Sequence, residues 1–132
     1  MKSECNGEMC DKGPYPYVTK IDRMAAMNRD FRKEIWTGCY FQMTIMSIPP
    51  CGEIGIENHE DTDQLLRVEQ GMAVVKLGKC PEKMEWQHRI FKGDAIFVPA
   101  GTWHNVVNIG RNSLKISSVY APPHHPKGTL AE

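Results

Sequence analysis

Two stretches of the chain set chemically capable side chains at telling intervals. In the first, Glu57 and His59 stand two residues apart, the spacing that sends both to one side of a strand. Gln64 follows after the short polar stretch Glu60-Asp-Thr-Asp63. In the second, His104 begins the run Trp103-His-Asn-Val-Val-Asn108, where alternation puts His104, Val106 and Asn108 on one face. A carboxylate and an imidazole that share a face can hold a divalent cation or move a proton. Either one alone has a plainer reading: a single His on an apolar face is more often a satisfied core histidine, and a single Glu is more often solvated.

The elements that must position these residues read as strands. From Cys39 to Ile48 the chain is rich in aromatic and β-branched residues and ends at Pro49-Pro50. Strand-like runs follow at 53–59, 64–69, 73–77, 86–91, 95–98, 103–109 and 114–121, punctuated by Gly71, Gly78, Gly93, Gly101 and Gly110. Many short strands with Gly and Pro at the turns and almost no helix predict an all-β sandwich or closed barrel. Before them, Asp22 can cap a short helix whose apolar face is Met24, Ala25 and Met27. The first residues, through Pro16, are polar and read as a loosely held arm, with Tyr15 and Tyr17 available to pack on the barrel. The expected division is therefore an arm and short helix over 1–38, then a barrel and tail over 39–132.

The stretch Gly93-Asp-Ala-Ile-Phe-Val-Pro99-Ala-Gly101-Thr-Trp-His104-Asn-Val-Val-Asn108 fits the second cupin motif, G-x5-P-x-G-x2-H-x3-N, at every fixed position. Its parts make sense physically. Gly93-Asp94 is a tight turn, and Ala95 to Val98 is a buried strand. Pro99-Ala-Gly101 then reverses the chain where no ladder donor is needed. Counting back from Gly71, the first cupin motif lands on Gln64, His59 and Glu57. Glu57 takes the place of the usual first His, and Gln64 that of the usual Glu. The chain thus resembles a small single-domain cupin, a double-stranded β-helix or jelly-roll barrel. The closing run Leu114 to Pro123 with His125-Pro126 is similar to the tail of the mannose-6-phosphate isomerase-like subgroup.

The resemblance implies one divalent metal ion held by Glu57, His59, Gln64 and His104. A mixed N/O shell of this kind suits Mn²⁺, Fe²⁺, Zn²⁺ or Ni²⁺ rather than Cu(I) or an iron–sulfur cluster. Four protein ligands leave positions open on an octahedral ion, which permits catalysis. Asp61 and Asp63 are nearby carboxylates that rank below Gln64, since loop residues are not held inward by a strand. The implied function is a metal-dependent isomerase acting on a sugar or sugar phosphate. The alternatives are a non-catalytic ligand-binding module and an Fe(II)-dependent dioxygenase on a small metabolite. Glu57 can act as the isomerase base only if it is free of the metal, and His125 can do so if the tail folds over the barrel mouth. A phosphosugar would need a cationic clamp. Lys115, Arg67 and Arg89 are the available cations, but alternation turns Arg67 outward, and no phosphate site is evident.

Composition bounds the rest. The 132 residues are one ordinary domain, and 41% of them are hydrophobic. Lys plus Arg and Asp plus Glu are 16 each, a balance that points away from nucleic acid and anionic membrane; the partner that the cupin resemblance implies is a small polar metabolite. The opening Met-Lys-Ser-Glu-Cys-Asn-Gly-Glu has no apolar core, so the expected location is the cytoplasm. The five cysteines form no C-x-x-C pair and are expected as free thiols. His88 and His124 are expected to be exposed and outside any metal shell. Met43 and Met46 are expected to fill the core or a subunit interface. Alternation lets Gln42, Thr44 and Tyr120 line the pocket. Small cupins commonly pair, so a homodimer is expected, with the leader before Cys39 able to mediate it.

Overall fold

The computed structural model describes residues 11–125 together with the backbone of Leu130–Ala131. One short helix precedes nine strands: α1 (Ile21–Met27), β1 (Arg32–Thr37), β2 (Gln42–Ile48), β3 (Asp63–Gln70), β4 (Met72–Gly78), β5 (Trp86–Phe91), β6 (Ala95–Val98), β7 (Trp103–Asn108), β8 (Leu114–Ala121) and β9 (Leu130–Ala131). A six-stranded antiparallel sheet runs β6-β3-β8-β2-β1-β9, and a three-stranded sheet runs β5-β4-β7. The all-β jelly roll read from the sequence is the observed fold.

Register explains how the interior is filled. Gln42 pairs with Tyr120, Tyr120 with Gln64, and Gln64 with Val98. Directly opposed residues project to the same face, so these four form one inward-pointing row. The next row inward is Glu34, Thr44, Ser118, Leu66 and Ile96. Beyond it the interior turns apolar. Met46, Ile48, Val68, Ala73, Val75, Val106, Leu114 and Ile116 pack there into one buried cluster with Leu66, Ile90, Ile96 and Val98. The interior thus grades from polar at one end to apolar at the other. Where the chain leaves β3 for the other sheet, Gly71 has φ +100, and a Cβ there would lie 3.3 Å from Leu114 Cα. Both facts call for glycine.

Three elements differ from expectation. First, the sheet begins at Arg32 rather than Cys39, so part of the expected arm belongs to the barrel. Arg32-Lys-Glu-Ile-Trp-Thr37 reads as polar, yet it is a strand because its charges find partners. Glu34 is fully buried, with Arg32 Nε 3.1 Å from its carboxylate. Second, residues 53–59 make only isolated bridges rather than a strand. Third, α1 is capped at Lys20 rather than Asp22, and it buries Ala25 while leaving Met27 exposed. At 100° per residue Met24 and Ala25 share an arc that Met27 lies outside, and that arc packs with Ile35, Ile45 and Met43 on the outer face of the sheet.

Candidate metal centre

The segment carrying Glu57 is laid along β7 as an irregular neighbour. Ile54 N donates to Val106 O and Asn108 N to Gly52 O, both at 2.9 Å. Glu57 and His104 exchange two backbone hydrogen bonds, also at 2.9 Å each. That is the close pairing of an antiparallel ladder, and it sets the two side chains side by side. Gly101 N donates to His59 O at 2.9 Å and fixes the far end of the segment. Gly101 itself has φ +86, so the motif turn before His104 uses a conformation that glycine takes without strain. Asn105 ties the segment from the other side: its Oδ1 accepts from Gly55 N at 2.9 Å and its Nδ2 donates to Glu53 Oε1 at 2.6 Å. In the sequence, the only sign of this role for Asn105 is its place beside the motif histidine.

These ties bring Glu57, His59 and His104 together, with one ligand atom from each lying within 4.8 Å of the others. His59 Nε2 is 3.3 Å and His104 Nε2 is 3.7 Å from Glu57 Oε1. Both ring nitrogens are buried, and neither has an aligned hydrogen-bond partner. His104 Nδ1 lies 2.9 Å from the Thr102 carbonyl. A carbonyl can only accept, so the proton of the neutral ring sits on Nδ1 and Nε2 presents a lone pair to the cluster. Burial pushes the Glu57 carboxyl up, but its side-chain interactions with His104 and His59 outweigh it and lower it to about 2. The carboxylate is therefore anionic across the physiological range. Gln64 is buried on the inner face of β3. Its Nε2 donates to Ser118 Oγ at 2.9 Å, which leaves Oε1 buried without a partner. The two imidazoles and the carboxylate make a set that fits a divalent cation.

The Cupin domain family matches residues 44–120. The chain belongs to the cupin family. It is 48% identical over 122 residues to the uncharacterized protein YrkC of Bacillus subtilis, covering 92% of this chain and 66% of that one. It is 34% identical over 115 residues to the uncharacterized protein L612 of Acanthamoeba polyphaga mimivirus, covering 86% and 70%. This cupin therefore spans about two thirds of the length of these relatives. Among solved structures, BH2720 of Bacillus halodurans superposes with a TM-score of 0.92 at 46% identity, covering 93% of both chains.

The rest of the cupin interior bears on the other expectations. Gln42, Thr44 and Tyr120 are all buried on the inner face. Burial, aided by the Glu57 charge, pushes the Tyr120 phenol up to about 12, with the Ser118 and Thr44 hydroxyls and Arg32 opposing only in part. The tail does reach the mouth of the barrel. Gln42 Oε1 accepts from the backbone N–H of His124 at 3.1 Å and of His125 at 2.8 Å, and Gln42 Nε2 donates to His125 O at 2.7 Å. His124 is exposed as expected, yet its ring centroid is 4.2 Å from that of His59. Neither tail histidine joins the group of ligand atoms. Asp63 is turned away from the site, its Oδ1 accepting from Ala100 N at 2.9 Å. Lys115 is engaged elsewhere, donating to Asn28 O and, at 3.0 Å, to Ser47 Oγ. Arg67 points outward, as alternation requires, with its side chain 59% exposed. Cys39 and Cys51 are exposed free thiols and Cys80 is a half-buried one, whereas Cys5 and Cys10 lie outside the described residues. Among the described residues no helix is long and apolar enough to cross a membrane.

Proposed function

We propose that this cupin holds one divalent metal ion on Glu57, His59, Gln64 and His104 and works as a metal-dependent isomerase on a sugar or sugar phosphate. The observation that carries the metal reading is the set of three buried side-chain atoms without hydrogen-bond partners, His59 Nε2, His104 Nε2 and Gln64 Oε1, beside an anionic carboxylate. Leaving such atoms unpartnered costs roughly 1–3 kcal/mol each, and a cation removes that cost for all three. A bound Mn²⁺, Fe²⁺, Zn²⁺ or Ni²⁺ would supply Lewis acidity toward a carbonyl and its neighbouring oxygen.

The chain's own groups do the positioning. The Thr102 carbonyl fixes the tautomer of His104, and Ser118 orients the Gln64 amide. The apolar inner wall excludes water from one side. The tail places His125 at the mouth, where a proton-moving group is needed for a shift between adjacent carbons. Tyr40, 85% exposed, and Phe97, 76% exposed, support a homodimer as the assembled form, which sedimentation equilibrium tests.

The direct test loads the metal-free protein with each of the four ions and incubates it with aldoses, ketoses and their phosphates, following products by NMR. Interconversion that EDTA stops and His104→Ala abolishes is the expected result. No conversion with any ion contradicts the isomerase and leaves a binding module. Oxygen uptake with Fe²⁺ alone would move the assignment to a dioxygenase.

A further inference from the structure

After the metal group has accounted for His59, His104 and Gln64, three unpartnered buried atoms remain: Asn58 Oδ1, His125 Nε2 and Thr44 Oγ1. The last two neighbour Tyr120. The His125 ring stands edge-on to the Tyr120 ring with centroids 5.0 Å apart. Thr44 pairs with Ser118, two residues before Tyr120 on the same face. The Tyr120 ring in turn meets His59 edge-on at 5.7 Å. These groups therefore continue the metal cluster along the interior instead of forming a separate site.

His125 does not reach this place through regular structure. It is carried on a strap that leaves β8 through Pro122-Pro123 and is tied down by Gln42. The Gln42 amide is completely buried and uses both ends. Its oxygen takes the two backbone N–H groups of His124 and His125, and its nitrogen gives to His125 O at 2.7 Å and to Thr37 Oγ1 at 3.0 Å. Only a side-chain carboxamide offers that pattern of two acceptances and two donations.

We propose that Gln42 is a positioning residue that pins the strap so that His125, Thr44 and Tyr120 form a subsite beside the metal group for the hydroxyl and carbonyl oxygens of an uncharged polyhydroxy compound. The subsite rests on the functional reading above and narrows its substrate to the free sugar. The groups on offer are an imidazole, an alcohol and a phenol, which exchange neutral hydrogen bonds. Arg32 is the cation whose field reaches Tyr120, His124 and His125, and it is already compensated by Glu34 at 3.1 Å. A phosphate would find no uncompensated positive partner among these residues, whereas sugar hydroxyls satisfy both orphaned atoms.

Calorimetric titration of the full chain with D-mannose, D-fructose and mannose 6-phosphate, with and without Mn²⁺, tests this. The wild type is expected to bind a free sugar at least tenfold more tightly than the phosphate. His125→Ala should weaken the sugar at least tenfold, with partial recovery in His125→Gln, whose amide can still exchange a neutral hydrogen bond. Gln42→Glu keeps both acceptances but loses the donations, and should weaken the sugar severalfold. In both His125 variants Mn²⁺ affinity and melting temperature should stay near wild type, and in Gln42→Glu, which loses stability with its two donations, Mn²⁺ affinity should still hold, which a merely structural role for Gln42 would not allow. Unchanged sugar affinity in His125→Ala, tighter binding of the phosphate, or no sugar binding by the wild type each overturns the proposal. A wild type that takes up no Mn²⁺ would remove the metal reading instead, and the sugar titration of the metal-free protein would then decide the subsite alone.

Discussion

The two ends of the barrel interior are built on the same strands and differ in one respect, whether their buried atoms are satisfied. On β2 the inward residues run Gln42, Thr44, Met46, Ile48; on β8 they run Tyr120, Ser118, Ile116, Leu114; on β3, Gln64, Leu66, Val68. Halfway along each strand the chemistry changes. The apolar end needs nothing more than packing, because its side chains carry no polar groups to pair. The polar end leaves Thr44 Oγ1, Gln64 Oε1, His59 Nε2, His104 Nε2 and His125 Nε2 buried without partners. A fold that accepts such costs at one end must recover them at the other, and the concentration of orphans around one cluster marks where a ligand supplies the difference.

The contrast can be broken by mutation, and the largest effect belongs to the apolar end. Leu66→Ala removes a fully buried side chain from the middle of the core. It should cost about 2–5 kcal/mol of stability in urea denaturation, while the protein that remains folded keeps its metal uptake. If the loss is under about 1 kcal/mol, the apolar end is not what holds the barrel. Next in size is ligand stabilisation. Mn²⁺ at a hundred times its dissociation constant should stabilise the wild type by about 2.7 kcal/mol and leave His59→Ala unmoved in the same melting experiment. An equal rise in both proteins would place the ion elsewhere.

Smaller effects sharpen the comparison. Asn105→Ala leaves Gly55 N without its acceptor and releases the segment that carries Glu57. It should cost about 1–3 kcal/mol and weaken metal binding together with stability, which sets it apart from Leu66→Ala. Thr44→Val exchanges a buried hydroxyl that has no aligned hydrogen bond for a methyl of the same shape. Its effect on stability should lie within about 1 kcal/mol of zero and fall on the stabilising side. A loss of more than that would mean the hydroxyl is satisfied and the polar end carries less unmet demand than described.

Much of this was legible in the sequence where local rules decide. The glycines and prolines that separate the runs from 64 to 121 placed six strands within a residue of their ends, because turn chemistry is local. The motif around His104 was readable for the same reason: Gly93, Pro99 and Gly101 each answer a backbone demand. β1 was not legible, since its strand character depends on where Glu34 finds Arg32. Nor was the way Glu57 meets His104: alternation correctly put Glu57 and His59 on one side, but the segment is held by β7 and Asn105 and not by a ladder of its own. His124 illustrates a subtler case. Its exposure follows from the polar tail around it, yet its ring lies against His59 because Gln42, far away in sequence, ties the tail down.

The claim on which the account turns is that the unpartnered atoms of the polar end are metal ligands. Elemental analysis of the purified and reconstituted protein, set beside Glu57→Ala, His59→Ala, Gln64→Ala and His104→Ala, tests it most directly. The account predicts about one divalent ion per chain in the wild type, with loss in His59→Ala and His104→Ala and weaker retention in the other two. A wild type that binds no metal after reconstitution, or full occupancy in both histidine variants, would contradict it.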